Sequence, residues 1–432
     1  MFFGLASFQA LAMFRRGIFY TFLAVYLRSY LGLSVTETTL FETIPMILNV
    51  LFQTLVWGRL TDRLQLRRTL IIIGEIMASI GHVAMWYFHS IAPTPRSAGY
   101  VIIAGLTVIE IFWSMSNIGW SAFISDVYTT GERNAIQGRL ASIGGGGRIV
   151  GALIGGLLYD GLGRTFPGWG FSEGGIFFAS AIVMLVSVLP MLALPEGGIR
   201  YRADRPGKTG NETDNETRTR TEPETGRSFT SPGGSLRLFA VFLVAMLLIN
   251  SGINTLGAFR AQYLDLAEGF AAPARTISLV VNMESVALIV IGFFLGSLGR
   301  RFGIKRLLAG GTIAGIVSLL LHVAAPSIGF IYLAAIFKGI SDGCVASSSY
   351  AFASTLIPPE KRGRYFAFYN STFFLSWGLS ATFITGPLID GLINAGRGAV
   401  FAYRIGLLSG AALMIAGICV LGVLLAASKR RK

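Results

Sequence analysis

Charge is scarce in this sequence. Only 13% of its 432 residues are Asp, Glu, Lys or Arg, and histidine occurs three times. A soluble domain carries about 25% charged residues, so an ordinary water-covered surface is excluded. Cysteine is nearly absent: Cys344 and Cys419 stand far apart in apolar runs, which excludes a disulfide framework and a cysteine metal site. The histidines are scattered without metal-ligand spacing, and no cofactor is expected. No Gly-x-x-x-x-Gly-Lys-Ser/Thr loop is present to drive work with ATP. A membrane enzyme would need a nucleophile–base pair or metal ligands; neither is found, and no enzymatic role is expected.

What the chain has in abundance is apolar surface, with 53% hydrophobic residues and a mean hydropathy of +0.63. A membrane span needs ~20 apolar residues. Twelve runs approach that length, near 5–28, 38–57, 69–89, 99–124, 140–159, 174–194, 236–260, 276–298, 307–324, 328–353, 365–388 and 402–426. Short connections suit antiparallel helix neighbours. The expected architecture is an all-α integral membrane protein of twelve helices in two six-helix bundles, residues 1–194 and 236–432. Between them, residues 195–235 turn to Glu, Thr, Arg, Asn, Pro and Gly with little to bury, which predicts a flexible cytoplasmic linker. Asn211 and Asn215 each begin an Asn-Glu-Thr triplet, but a cytoplasmic loop does not meet the glycosylation machinery. The first apolar run continues as a full span without a small-residue cleavage site, so no removable signal peptide is expected.

The formal net charge is +14. These cations sit in short loops between apolar spans, which points to membrane orientation rather than to nucleic acid. If the first span starts inside, the inner ends carry seventeen Lys and Arg and the outer ends six. Positive charge retained on the cytoplasmic side then places both termini inside, in a multi-pass protein of the cell membrane.

Two stretches repeat. Gly58-Arg59-Leu60-Thr61-Asp62-Arg63-Leu64-Gln65-Leu66-Arg67-Arg68 has a partner in Gly296-Ser297-Leu298-Gly299-Arg300-Arg301-Phe302-Gly303-Ile304-Lys305-Arg306. Each is expected to form a tight, water-exposed turn between two spans. Gly131-Glu132-Arg133 and Pro359-Glu360-Lys361-Arg362 recur after the fourth and tenth spans. Arg15-Arg16-Gly17-Ile18 aligns with Asn250-Ser251-Gly252-Ile253, each followed by a Tyr-Leu pair, Tyr26-Leu27 and Tyr263-Leu264. A duplicated membrane unit accounts for all of these.

Six plus six spans, with this basic loop after the second and the eighth, resemble the major facilitator superfamily. Its loop signature Gly-x-Leu-x-Asp-Arg-x-Gly-Arg-Arg matches Gly58, Leu60, Asp62, Arg63 and Arg67, whereas Gln65 stands where the family usually has Gly. The second copy keeps Gly303 but has Arg300 at the acidic position. The resemblance implies a latching role between the halves for Gly58, Asp62, Arg63, Arg67, Gly296 and Arg301, and a central cavity lined by spans one, four, seven and ten. Gly147-Arg148-Ile149-Val150-Gly151-Ala152-Leu153-Ile154-Gly155-Gly156 looks like the family's antiporter signature with Ala152 in its proline position. Small residues four apart also let helices approach closely in lipid, and packing is the favoured reading.

An ionisable group at mid-bilayer costs at least ~2.5 to 3.5 kcal/mol on insertion scales, so each one needs a partner, a cavity or a purpose. Arg15 and Arg16 point about 100° apart, and sequence alone does not choose which faces the cavity. Glu110, Trp113, Asn117 and Trp120 share one helical stripe suited to a ligand with polar and ring-like faces. Arg148, Asn250, Asn254, Lys338 and Asp342 complete the candidate substrate site. Lys338 and Asp342, four apart, are placed to form an ion pair. Arg260 is expected to snorkel, and Glu75 and His82 to contact a neighbouring helix. Glu110 and Glu284 are the candidates for proton coupling, Glu284 because its own span holds no cation.

The reading that follows is a secondary transporter moving a small organic solute by alternating access, with protons as the expected driving ion and a monomer as the expected state. A proton-driven multidrug antiporter and a transporter-like sensor are the alternatives.

Overall fold

The computed structural model describes residues 1–128, 130–163, 168–198, 232–357 and 362–429. Most of the expected linker lies outside these residues, as do Pro359, Glu360 and Lys361. The side chains of Asp62 and of Gly131 to Arg133 are likewise not described.

Twelve helices are long and apolar enough to cross a membrane. They are α1 (Phe2–Tyr30), α2 (Val35–Thr61), α3 (Arg67–Ser90), α4 (Pro95–Ile124), α5 (Gly138–Tyr159) and α6 (Gly175–Leu192), then α7 (Arg237–Asp265), α8 (Ala274–Phe302), α9 (Ile304–Ala324), α10 (Ile328–Leu356), α11 (Phe368–Asn394) and α12 (Ala399–Val423). Local chemistry sets their ends. Ser34 and Glu37 form a reciprocal capping box that starts α2. Thr94 and Ser97 do the same for α4, with Pro95 in the first turn, where its missing N–H costs nothing.

The expected tight turns are shorter than predicted. Gly58–Leu64 is itself helical, and the chain reverses only at Gln65 and Leu66. Gln65 ends that helix in the left-handed region at φ 58°. In the second copy the helix runs to Phe302, and Gly303 turns the chain at φ 81°. A basic stretch extends a helix past the apolar zone because Lys and Arg are good helix formers with stems that lie along it.

Packing repeats between the halves. The pairs α1–α5, α1–α6, α2–α4, α3–α4 and α3–α6 have counterparts in α7–α11, α7–α12, α8–α10, α9–α10 and α9–α12. Side chains repeat as well. His82 and His322 are fully buried and each places Nδ1 2.9 and 2.8 Å from the carbonyl four residues earlier. The two aligned Tyr-Leu pairs are all 0% exposed. The halves meet through α2 against α11 and α5 against α8, two contacts that exchange under the same repeat. Apolar side chains left on the outside, such as Phe293 and Leu189, suit hydrocarbon.

The span-five glycines are packing residues. A Cβ on Gly147, Gly151 or Gly155 would lie 2.3, 2.0 or 2.7 Å from the carbonyl oxygens of Ala10, Phe14 and Ile18. Three successive turns of α5 therefore rest directly on the backbone of α1.

Candidate functional site

At mid-depth in each half, the fold gathers the ionisable groups that the apolar spans isolate in sequence. Arg15 is buried and donates to Glu75 Oε2 at 2.9 Å, with its guanidinium 4.0 Å above the Trp113 ring. Glu75 also accepts from Ser116 at 3.0 Å. Arg15, Glu75 and Trp113 thus tie α1, α3 and α4 together, and Trp113 roofs an ion pair rather than presenting a free ring. Arg16 is half-buried and has no salt bridge among the described residues. Of the two adjacent arginines, Arg16 is the less buried.

Glu110 is buried and accepts from Asn49 Nδ2 at 2.5 Å. Its bond thus comes from an amide of α2, and Glu110 makes no ion pair among the described residues. Asn117 is half-buried on the same stripe. Trp120 leaves the site and packs on Phe8 with centroids 5.1 Å apart, in a small apolar cluster.

The second group lies on the other half. Glu284 accepts from Arg260 at 2.5 Å and stands 3.9 Å from Arg148 of α5. Two expectations fail here. Glu284 has cations from α7 and α5 although its own helix supplies none, and Arg260, 5% exposed, is a buried partner rather than a snorkelling surface residue. Lys338 donates to both oxygens of Asp342 at 2.7 Å, as the spacing predicts. Asn250 is buried, and Asn254 donates to Ser376 of α11 at 2.9 Å. Arg148 keeps 42% of its side chain exposed, so its guanidinium is accessible. It shares the depth of Arg16, since a Cβ on Gly17 would lie 2.5 Å from the Arg148 carbonyl.

One end of the assembly is sealed. At the end opposite the basic loops, the two carboxylate oxygens of Asp390 accept from the backbone N–H groups of Val35 and Thr36 at 2.9 and 2.8 Å. Ser29 donates to Asp265, and Gln262 bridges Thr38 and Tyr403. The Thr382 hydroxyl lies 2.6 Å from those of both Thr39 and Thr43. Ser278 and Asn282 donate to the Ala152 and Ile149 carbonyls. These contacts between the halves lie between this end and the depth of Arg148. Toward the basic end, Gly138, Gly146 and Gly292 face open space.

The residues expected to latch the halves lie at that basic end. Arg67 is buried and donates to Asp126, to the Thr61 carbonyl and to Gln65. These bonds stay within the first half. Arg63 is exposed, Gly58 lies in the extended α2 helix, and Asp62 has no described side chain. A Cβ on Gly296 would meet only the Arg300 guanidinium, and Arg301 lies 5.5 Å from the Phe302 ring.

Sequence reading missed Asn49, Asp390 and Glu42. Glu42 is half-buried in α2. Starting that span at residue 38 put Glu42 near the interface, whereas the Ser34-x-x-Glu37 capping box places it two turns inside the helix.

A charged array between two repeated helical bundles, sealed at one end, defines a secondary-transporter fold. The chain belongs to the Major Facilitator Superfamily, whose family profile matches residues 5–267 and 243–432. A curated relative, the major facilitator superfamily multidrug transporter mfsC of Aspergillus fumigatus, is 27% identical over 141 residues. That match covers 31% of this chain and spans about a quarter, 27%, of the relative. Among solved structures, the nucleoside transporter NupG superposes with a TM-score of 0.68 at 15% identity, covering 97% of this chain and 98% of that one. A bacterial homologue of the human lysosomal transporter Spinster, inward-facing and unoccupied, gives 0.66 at 14%, covering 98% and 96%. The peptide transporter POT in complex with sulfate gives 0.69 at 14%, covering 99% and 94%. These likenesses establish the fold.

Proposed function

We propose that the protein carries a small organic solute with an anionic group across the cell membrane by alternating access, driven by protons. The observation that carries this reading is the pair of guanidiniums, half-buried Arg16 and part-exposed Arg148, at one depth below the sealed far end. Neither is neutralised at close range: Arg16 has no salt bridge among the described residues, and Arg148 is 3.9 Å from a carboxylate that Arg260 already holds. Two guanidinium forks suit a carboxylate or related oxyanion. Asn117 and Asn254, each part-buried, would add neutral donors and acceptors.

In this reading residues 1–194 and 236–432 rock as two bundles about the site, with 195–235 as their tether. Positive charge at the open end makes that end cytoplasmic, so the conformation faces inward with both termini inside. The basic loops, with Asp62, Arg63, Arg67 and Arg301, would close it in the opposite state. The protein acts as a monomer and performs transport, not catalysis.

The test is flux in proteoliposomes. An array of organic acids, amino acids and peptides is offered with and without an inward proton gradient, to wild type, Arg16→Gln and Arg148→Gln. Accumulation of an acidic or zwitterionic compound that follows the gradient and is lost in both variants supports the reading. Flux that ignores the gradient removes proton coupling. Multidrug export is the second reading, favoured by the Aspergillus relative; transport restricted to cationic amphipathic compounds would establish it instead.

A further inference from the structure

We propose that Glu42 is the carboxyl that carries the coupling proton, taking it up when the far end is open and giving it to the cavity after the seal has closed. This rests on the proton-driven reading above. Two carboxyls expected for that task are already engaged: Glu284 by Arg260, and Glu110 by Asn49. The other mid-depth carboxylates are paired as well, Glu75 with Arg15 and Asp342 with Lys338. Glu42 has no salt bridge and no hydrogen bond among the described residues.

Its place in α2 is fixed from both sides. One turn toward the far end, Thr38 and Thr39 bond to Gln262 and Thr382 of the other half. Two turns toward the basic end, Asn49 bonds to Glu110. Of its immediate neighbours, Phe41 stacks on Tyr20 of α1, and Thr43 abuts Gly378 of α11, where a Cβ would come within 2.1 Å of the threonine hydroxyl. Glu42 therefore stands at the seam between the halves, directly beneath the seal.

The elements packed around α2 bring few charges to this point. Helix α1 contributes Tyr20 and the half-buried Arg16, with Arg15 committed to Glu75. Helix α4 contributes Glu110, a like charge. At this level α11 presents Thr382 and Gly378, and α7 presents Gln262, all neutral. An ionised Glu42 is thus poorly compensated when the seal closes over it, whereas the neutral acid needs no counter-charge. Parting of the Thr38, Thr39, Thr43 and Asp390 contacts would admit water to the same carboxyl. Seal closure and proton occupancy then bias each other, as linkage requires. In the closed arrangement the proton leaves from Glu42 Oε to water in the cavity.

The experiment is infrared difference spectroscopy on the full chain in lipid nanodiscs, between acid and alkaline pH, following the carboxylic-acid C=O band. It needs no knowledge of the solute. The expected result is a titrating band that disappears in Glu42→Gln, persists at a shifted frequency in Glu42→Asp, and is unchanged in Glu284→Gln. In proteoliposomes Glu42→Gln should lose gradient-driven accumulation while keeping counterflow of the same compound. Persistence of the band in Glu42→Gln, or its loss in Glu110→Gln with Glu42 intact, overturns the assignment. Retained gradient-driven accumulation in Glu42→Gln overturns it too, and leaves the proton-driven reading standing. Wild-type flux that ignores the gradient overturns that reading, and the coupling role of Glu42 with it.

Discussion

Asp390 supplies two hydrogen bonds to the far-end seal, and its energetic share can be worked from the contacts. This side chain from α11 caps the N-terminus of α2, accepting from Val35 and Thr36 N–H at 2.9 and 2.8 Å. Asp390→Asn keeps the size but presents one acceptor oxygen and turns an N–H₂ toward the second amide. A hydrogen bond to a charged group is worth about 1.5–3 kcal/mol, and an anion at a helix N-terminus about 0.3–1 kcal/mol. Allowing for the water that replaces the lost partner, the seal should weaken by about 2 kcal/mol, close to 30-fold in the equilibrium between sealed and open far ends. The bonds link opposite halves, so the loss falls on that equilibrium rather than on either bundle. Spin labels at Ile91 and Glu268, both at the far end, would report it as a second, longer distance in double electron–electron resonance. Asp390→Glu, which keeps two acceptor oxygens, should stay nearer to wild type. An unchanged distance distribution in folded Asp390→Asn would refute the claim that this cap holds the halves together.

Three further outcomes follow from particular contacts. Gly151→Val places a Cβ 2.0 Å from the Phe14 carbonyl and should cost more than the ~1–3 kcal/mol typical of overpacking, read as a large drop in melting temperature, while Gly146→Ala, with open space around it, should melt like wild type. Gln65→Gly relieves a left-handed residue at φ 58° but gives up its bond to Arg67; with a strain of about 1–2 kcal/mol, a small net rise in thermal stability is expected, and a fall would show that the Arg67 bond dominates. Arg260→Gln leaves Glu284 with only the more distant Lys338 and Arg148 and should destabilise by about 3–5 kcal/mol; the double variant Arg260→Gln/Glu284→Gln should recover much of this, and additivity of the two single losses in a melting assay would contradict the pairing.

How much of this was legible in the sequence depends on the range of the forces involved. Spans are set by local composition, because a helix in lipid must satisfy its own backbone and needs ~20 apolar residues to cross. Twelve spans, their duplication, and the Lys338–Asp342 pair, which lies within one helix, were therefore readable from the chain. The packing role of Gly147, Gly151 and Gly155 followed from a rule these residues carry with them, that small side chains four apart let helix backbones approach closely; the left-handed backbone of Gln65 did not, since glutamine has no preference for it. Tertiary structure alone decided which charge meets which. Glu284 is paired because α7 and α5 bring Arg260 and Arg148 to it, Glu110 is held by an amide from α2, and Arg15 rather than Arg16 is buried because Glu75 of α3 stands on its side. Side-chain pairing between helices depends on their rotation and depth, to which hydropathy is blind. The same blindness hid Glu42, whose lack of an ion pair among the described residues is a property of the surrounding helices and not of the segment that contains it.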